Sequence, residues 1–499
     1  MNSIFFRTVV GKSTPAKICN RNTIMQATSF ARFYTTDYSI FPEPKQRHIP
    51  RNGTYPIGFL AGSTYCGIKN FSEGAGSKDL TMIMSTVPCI ASAVFTKNQV
   101  AAAPVQIDRK LLDTVRSKGI SHIRAVISNS GVANAVTGEQ GFVNCNKMAK
   151  ASNDFISNHD KKNGSYSDVN SEISKSIVLS TGVIGKQLPI EKIQTGVLQL
   201  EGKLGNSHSH WIDTAIGYMT TDTFPKLHSK EFTLPSNGAK YRLCGISKGA
   251  GMIHPNMATM LCTLVSDVSI TQKLLDNAVT YAADRSFNCI SIDGDTSTND
   301  TFSVLTNGLA SSSPSSNSSS SNVPEWIIND EKSNDFLSFR DNLTEFSKHL
   351  AQLIVRDGEG ATKFITINIS NASSATDAKA VGVSIAKSPL VKTAFFGQDA
   401  NWGRILCAIG YSSAKIDPST VSLRISSSSS NSSANIADSS IDLLVNGQPL
   451  ELDEAKASAI LAHEDLTVDV DLGLGSDSAT IYTCDFSHEY VSINGDYRT

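Results

Sequence analysis

Residues 248–267 read Lys248-Gly249-Ala250-Gly251-Met252-Ile253-His254-Pro255-Asn256-Met257-Ala258-Thr259-Met260-Leu261-Cys262-Thr263-Leu264-Val265-Ser266-Asp267. A glycine-rich loop passes through Pro255 and Asn256 to a small Ala258 and then Thr259. An apolar run from Met260 to Val265 follows, short enough and apolar enough to be a buried strand. Thr259 therefore stands at the mouth of a strand, with pliable backbone before it and a rigid element after it. Three readings fit that pattern: a plain loop ahead of a core strand, a phosphate-cradling loop, or a nucleophile. The phosphate reading is weak, because the G-x-x-x-x-G-K-[ST] spacing is absent and a strand, not a helix, comes next.

Working outward, further strands and helices alternate around this segment. Ile123–Ser128 (IRAVIS) and Ile177–Ser180 (IVLS) read as buried strands, and Leu466–Leu472 and Ala479–Cys484 alternate as half-buried ones. Ile190, Ile193, Val197 and Leu200 recur at helical steps, as do Leu343, Phe346, Leu350 and Leu353 ahead of Arg356-Asp357-Gly358. Asn237-Gly238 lies between two extended segments and reads as a type I′ hairpin turn. Mixed α and β with hairpins argues for sheets layered with helices, not a doubly wound parallel fold.

The chain has 499 residues, which at roughly 150 per domain suggests two to three domains. Net charge is −2, with 18% charged and 40% hydrophobic residues. That near-neutral balance gives no electrostatic footprint for nucleic acid. No apolar run approaches the roughly 18–20 residues of a membrane-spanning helix. Neither a nucleic-acid nor a membrane partner is expected. Nine scattered cysteines without a C-x-x-C pair indicate neither a zinc ribbon nor a disulfide scaffold. His208 and His210 lack a Cys or acidic partner at ligand spacing and read as solvated loop histidines, so no metal site is expected.

Residues 1–36 hold Arg7, Lys12, Lys17, Arg21 and Arg32 but no acid, among Ser, Thr, Asn and spaced apolar residues. That is the composition of a mitochondrial transit peptide and lacks a secretory h-region. Residues 1–34 are assigned to it, with Arg32-Phe33-Tyr34 as the processing region and the mitochondrial matrix as destination. Two tracts of nearly pure Ser and Asn, 311–322 and 426–433, cannot bury apolar area against their ordering entropy and read as mobile loop insertions.

The opening motif, as KGAGMIHPNMATML, resembles the ornithine acetyltransferase family of self-cleaving acyltransferases. So do SNSGVANAVTG (128–138), LSTGVIG (179–185), TTDTFPK (220–226), GDTSTNDT (294–301), DGEGATK (357–363), FGQDANWGRI (396–405) and NGDYRT (494–499). The likeness is collinear from about Gly53 to Thr499. It implies a layered α-β-β-α sandwich of the ornithine acetyltransferase/aminopeptidase type. It also implies self-cleavage between Ala258 and Thr259 into an α fragment (35–258) and a β fragment (259–499) that form one unit.

By the same resemblance Thr259 is the nucleophile, with its freed α-amino group, pKa about 7.7–8.0, as the base. Thr181 and Gly182 form the oxyanion hole, and Thr220, Lys248, Thr259, Glu359, Asn494 and Thr499 bind substrate. The reaction implied moves acetyl from N2-acetylornithine to glutamate through acetyl-Thr259. No cofactor is implied; acetyl-CoA enters only as a second acetyl donor in some members. An α2β2 heterotetramer is the implied assembly. Val132, Val136 and Gly495 depart from the family pattern, and the valines lie near the oxyanion turn. Two rivals remain: a related self-processing aminopeptidase or amidase that hands the acyl group to water, and an uncleaved, inactive binding homologue.

Overall fold

The computed structural model describes residues 37–69, 78–118, 122–163, 175–254, 260–311, 325–427 and 439–495. The segment 1–34, the Ala258–Thr259 bond, Thr499 and most of both Ser/Asn tracts lie outside these residues. In chain order the strands are β1 (Phe59–Thr64), β2 (Leu80–Phe95), β3 (Ile123–Val132), β4 (Lys175–Val183), β5 (Lys226–Thr233), β6 (Lys240–Lys248), β7 (Leu261–Ser266) and β8 (Ile290–Ser291). They continue with β9 (Thr301–Thr306), β10 (Phe364–Ala372), β11 (Ser422–Ser427), β12 (Ser440–Val445), β13 (Gln448–Pro449), β14 (Asp465–Asp471) and β15 (Asp477–Cys484).

The first sheet runs β4-β3-β2-β9-β7-β6-β5, with β1 also paired to β2. The long strand β2 is its hinge. Leu80–Met84 pair with β1 and β3, whereas Ile90–Phe95 pair with β9. Pro88, which has no N–H to donate, sits at the changeover. Because side chains alternate across a strand, each half has two faces. Leu80, Met82, Met84, Ala125, Ile127 and Val178 pack against Cys145, Met148, Ile193 and Val197 of the helices Gly138–Asn163 and Ile190–Leu198. Ile83, Val126, Ile177 and Leu179 face the opposite way, into a core shared with Trp211 and Tyr218 of the helix His208–Tyr218. That helix reaches the other half, where Tyr218 Oη and Thr263 Oγ1 are 2.9 Å apart. Beyond it, Tyr241 meets Phe339 with the rings tilted and 5.8 Å apart, and Gly245 leaves room for Phe346 and Leu350 of the helix Asn334–Arg356. Helices thus cover the outer faces of both sheet halves, the layered α-β-β-α arrangement expected, and the helix His208–Tyr218 contacts both halves.

The second sheet runs β13-β12-β11-β14-β10-β15-β8. Its alternation is one-sided. Ile365, Ile367, Ile369, Leu466, Val468 and Val470 are buried with residues of the helices Ala375–Lys387, Trp402–Gly410 and Glu454–Leu461. Thr366, Asn368, Thr467 and Asp469 alternate with them and are half-buried. The helix Asn334–Arg356 touches β5 and β6 of the first sheet and β8 and β15 of the second, so it joins the two.

Three sequence readings are corrected. The β5–β6 connection is not a two-residue type I′ turn, which needs positive φ at both central residues. Only Gly238 has it (φ +70°), and Leu234 and Ala239 close the loop by a backbone bond of 2.8 Å. Ser426 and Ser427 are not loop: they extend β11, pairing with Thr467 and Leu466, and Ser311 is buried in a short 3-10 turn. Finally, His208 and His210 begin a helix. His208 is half-buried, with Nδ1 2.5 Å from Tyr55 Oη and Nε2 3.1 Å from Tyr38 Oη. No described helix is long and apolar enough to cross a membrane.

Candidate active site

The site forms where β4 and β6 end and β7 begins. Lys248 closes β6 directly opposite Leu261, the first residue of β7. The loop 249–260 that carries the opening motif is therefore the excursion between two antiparallel neighbours. Lys248 donates from Nζ to Thr181 Oγ1 at 3.0 Å and to Thr220 Oγ1 at 3.2 Å. Burial pulls its ammonium below the usual lysine range, partly offset by the nearby carboxylate of Asp222. Thr181 is buried at the end of β4. Gly182 follows with φ +127°, and a Cβ there would lie 2.3 Å from the carbonyl carbon of Gly131 on β3. Only glycine fits this turn.

Glu359 forms the other side. Its N–H donates to Ala250 O at 2.8 Å, and its carboxylate lies so close to Gly251 that a Cβ there would be 2.4 Å from Oε2. Asn494, in the C-terminal helix His488–Gly495, donates from Nδ2 to Glu359 Oε2 at 2.7 Å. Thr181, Gly182, Thr220, Lys248, Glu359 and Asn494 line one cleft of about 370 Å3. Six of the residues singled out in the sequence thus share a single cavity. Ala258, Thr259 and Thr499 fall outside the described residues, but Met260, joined to Thr259 by one peptide bond, also lines the cleft.

Behind the cleft lies a buried ionic tie that the sequence reading missed. Lys226 Nζ is 2.5 Å from Asp222 Oδ1 and 2.6 Å from Asp357 Oδ2. Asp222 accepts from the N–H groups of Thr220 and Gly249, at 2.9 and 2.8 Å. Asp357 accepts from Thr223 N–H and from its hydroxyl. One lysine thereby aligns three separate motifs: the threonine turn at 220, the glycine loop at 249 and the segment bearing Glu359. The only signal was a pair of opposite charges, Asp222 and Lys226, flanking Phe224 in the string TTDTFPK.

GDTSTNDT supplies a second hidden device. Asn299 donates from Nδ2 to Ala133 O at 2.6 Å and to Ser180 O at 2.9 Å, bracing the chain that leads into the Thr181-Gly182 turn. Its neighbour Asp300 lines the cleft. Burial pushes its carboxyl well above the ordinary range, and Oδ2 has no hydrogen-bond partner among the described residues. Such a group favours the neutral acid. Of the two departing valines, Val132 is buried in the outer core, whereas Val136 is exposed with φ +56°. A β-branched residue held there stores about 1–3 kcal/mol of strain. Asn134 steadies the loop by accepting from Thr137 Oγ1 at 2.8 Å and donating to Gly141 O at 3.0 Å.

Chemically, the cleft offers a cation beside two hydroxyls at one end and a carboxylate with an amide at the other. That suits a small molecule carrying both a carboxylate and an ammonium. Among the described residues no group of three or more His, Cys, Asp or Glu is arranged to hold a metal ion.

Residues 60–499 match the model of the ArgJ family. The chain is 47% identical over 474 residues to the mitochondrial arginine biosynthesis bifunctional protein ArgJ of Podospora anserina, covering 94% of each chain. It is 48% identical over 480 residues to mitochondrial ArgJ 1 of Botryotinia fuckeliana, covering 95% of each. Among solved structures, the ornithine acetyltransferase of Mycobacterium tuberculosis in complex with ornithine is similar at 32% identity and a TM-score of 0.32. That match covers 42% of this chain and 98% of the other. A family match over residues 60–499, with fungal relatives alike over 94–95% of the chain, leaves one conclusion: this protein belongs to the ArgJ family.

Proposed function

We propose that the protein is a self-cleaving acetyltransferase of arginine biosynthesis that moves acetyl from N2-acetylornithine to glutamate. The observation that carries this is the bridging of Thr181 and Thr220 by Lys248 in a cleft lined by Met260, with Glu359 and Asn494 at its other side. Lys248 pairs with the α-carboxylate, and Glu359 accepts from the ornithine side-chain ammonium. The Thr259 hydroxyl attacks the acetyl carbonyl while its own α-amino group takes the hydroxyl proton. Thr181 Oγ1 and Gly182 N–H receive the charge that develops on the acetyl oxygen. The C–N bond of the amide then breaks, and ornithine leaves with the proton held by the α-amino group. Glutamate enters, its amine attacks the acetyl ester, and N-acetylglutamate departs as Thr259 Oγ regains its proton.

That base exists only after the Ala258–Thr259 bond is cut. The same hydroxyl performs the cut by attacking the Ala258 carbonyl, shifting the acyl group from N to O, and yielding it to water. The fragments 35–258 and 259–499 then stay together, their strands interleaved in the first sheet, and two such pairs make an α2β2 assembly. The relatives are named bifunctional and mitochondrial. Both words support a second, acetyl-CoA-dependent acetylation of glutamate at the same site, and removal of residues 1–34 on import to the matrix.

Sizing and N-terminal sequencing of the purified protein test the reading directly. Two fragments are expected, the second beginning at Thr259, and acetylornithine turnover should depend on glutamate. An uncut chain with full activity defeats the mechanism, and glutamate-independent hydrolysis makes the protein an amidase.

A further inference from the structure

The described residues on either side of 255–259 are fastened to one other stretch of chain, 292–301. On the upstream side, the carboxylate of Asp293 accepts from Met252 N–H (Oδ2, 2.5 Å) and Ile253 N–H (Oδ1, 2.8 Å). Ile292 N–H donates to Ile253 O at 2.7 Å, and Thr296 Oγ1 donates to His254 O at 2.9 Å. On the downstream side, Thr301 N–H donates to Met260 O at 2.8 Å, where β9 joins β7 in parallel. Met252 has φ +55°. A left-handed residue turns successive N–H groups toward one point, and here that point is a carboxylate. Neither Asp293 nor Thr296 lines the cleft.

We infer that Asp293 is a positioning residue for self-cleavage and not for acetyl transfer. This rests on the self-cleavage reading above. Intramolecular attack gains its rate from holding the reacting atoms in near-attack geometry. Asp293 and Thr296 fix the chain on the acyl side of the scissile bond, while Thr301 fixes it on the amine side. Met252 and Ile253 also line the cleft, but once the bond is cut the Ala258 end is no longer joined to Thr259, so its placement ceases to set the geometry of attack. Chain entropy alone cannot account for a large effect. Releasing 252–254 lengthens the stretch between the described anchor points from five residues to eight, which changes the closure probability by only about twofold. A greater loss reports orientation.

The test follows cleavage in freshly purified full-length Asp293→Ala, Asp293→Asn and Thr296→Val by gel. Turnover is measured per cleaved chain, with sites counted as acetyl-Thr259. Asp293→Ala is expected to lengthen the cleavage half-time at least about tenfold, the scale for losing charge-assisted hydrogen bonds. Asp293→Asn, which keeps one acceptor oxygen, should fall between it and wild type, and Thr296→Val should slow cleavage less. In all three, kcat and KM per cleaved chain should stay within about threefold of wild type, a split that general loosening of the fold would not give. If Asp293→Ala is insoluble, the other two variants carry the same comparison. Cleavage within twofold of wild type, or turnover per cleaved chain falling in step with cleavage, overturns the inference. An uncut wild-type chain overturns the self-cleavage reading itself; a cut wild type with a promptly cut Asp293→Ala overturns only this one.

Discussion

Replacing Lys226 by methionine keeps the hydrocarbon stem but removes the one charge between Asp222 and Asp357. All three side chains are 0–1% exposed, so water cannot screen what remains. Deleting one partner of a buried ion pair costs about 3–5 kcal/mol. Proton uptake limits the damage, because a stranded carboxylate can neutralise itself. From an ordinary pKa of 3.9 that costs about 4 kcal/mol at pH 7 and about 1.5 kcal/mol at pH 5. Asp357 is the group that takes the proton, since burial already pushes its carboxyl up. Asp222 is also buried but is held well below the usual carboxylate range by Lys226, Lys248 and the Gly249 N–H. The deficit should therefore shrink as pH falls, the reverse of ordinary acid destabilisation. For a body spanning Thr36–Thr499 the unfolding entropy is on the order of 1 kcal/mol per °C. Lys226→Met should then lower the thermal midpoint by about 4 °C at pH 7 and by 1–2 °C at pH 5. Thermal scans of both proteins at the two pH values and one fixed scan rate read this out. Turnover should fall as well, because Thr220, Gly249 and the Glu359 segment hang on the two carboxylates. A shift below 1 °C, or one of equal size at both pH values, would refute the reasoning.

Thr181→Ala should lower kcat about 10²–10³-fold, the cost of one oxyanion donor; near-normal kcat in correctly cut protein removes Thr181 from the role. Gly182→Ala should give little soluble, active protein. The methyl meets Gly131 backbone at a φ that itself costs about 1–3 kcal/mol, and wild-type yield and turnover would show that the turn can relax. Because burial lowers the pKa of Lys248, its charge is lost on the alkaline side earlier than for a free lysine. kcat/KM should thus fall as pH rises, while Lys248→Arg, slower overall, stays charged and should lack that limb. An identical alkaline limb in both proteins would assign the titration elsewhere.

Several elements were legible from periodicity alone. IRAVIS and IVLS became the cores of β3 and β4, and LTVDVDL became β14 with Leu466, Val468 and Val470 inward and its polar residues half-exposed. Ile190, Ile193 and Val197 fall within the helix Ile190–Leu198, with Leu200 buried just past its end, and the spacing at 343–353 falls within the helix Asn334–Arg356. Each is a local pattern: the period of the side chains records which face is buried. The Asn237-Gly238 turn failed because a dipeptide states which backbone angles are possible, not which loop length the flanking strands demand. The histidines failed because Tyr38 and Tyr55 reach His208 from more than 150 positions away.

The same division runs through the site. By itself the sequence singled out the residues to which the proposed function assigns chemistry: a Thr at a strand mouth, a Thr-Gly turn, a lysine and a glutamate, each within a short recognisable string. Only the tertiary structure decided that six of them share one cleft, and what holds them there. Lys226 meets Asp357 across 131 residues, Asn299 meets Ala133 across 166, and Lys248 meets Thr181 across 67. Those partners are set by how β2 carries the sheet from one half to the other. A buried charge or amide must also find its complement wherever the fold brings one. Local propensity records the first kind of information because it acts over a few bonds. The second depends on desolvation, which only a closed core imposes.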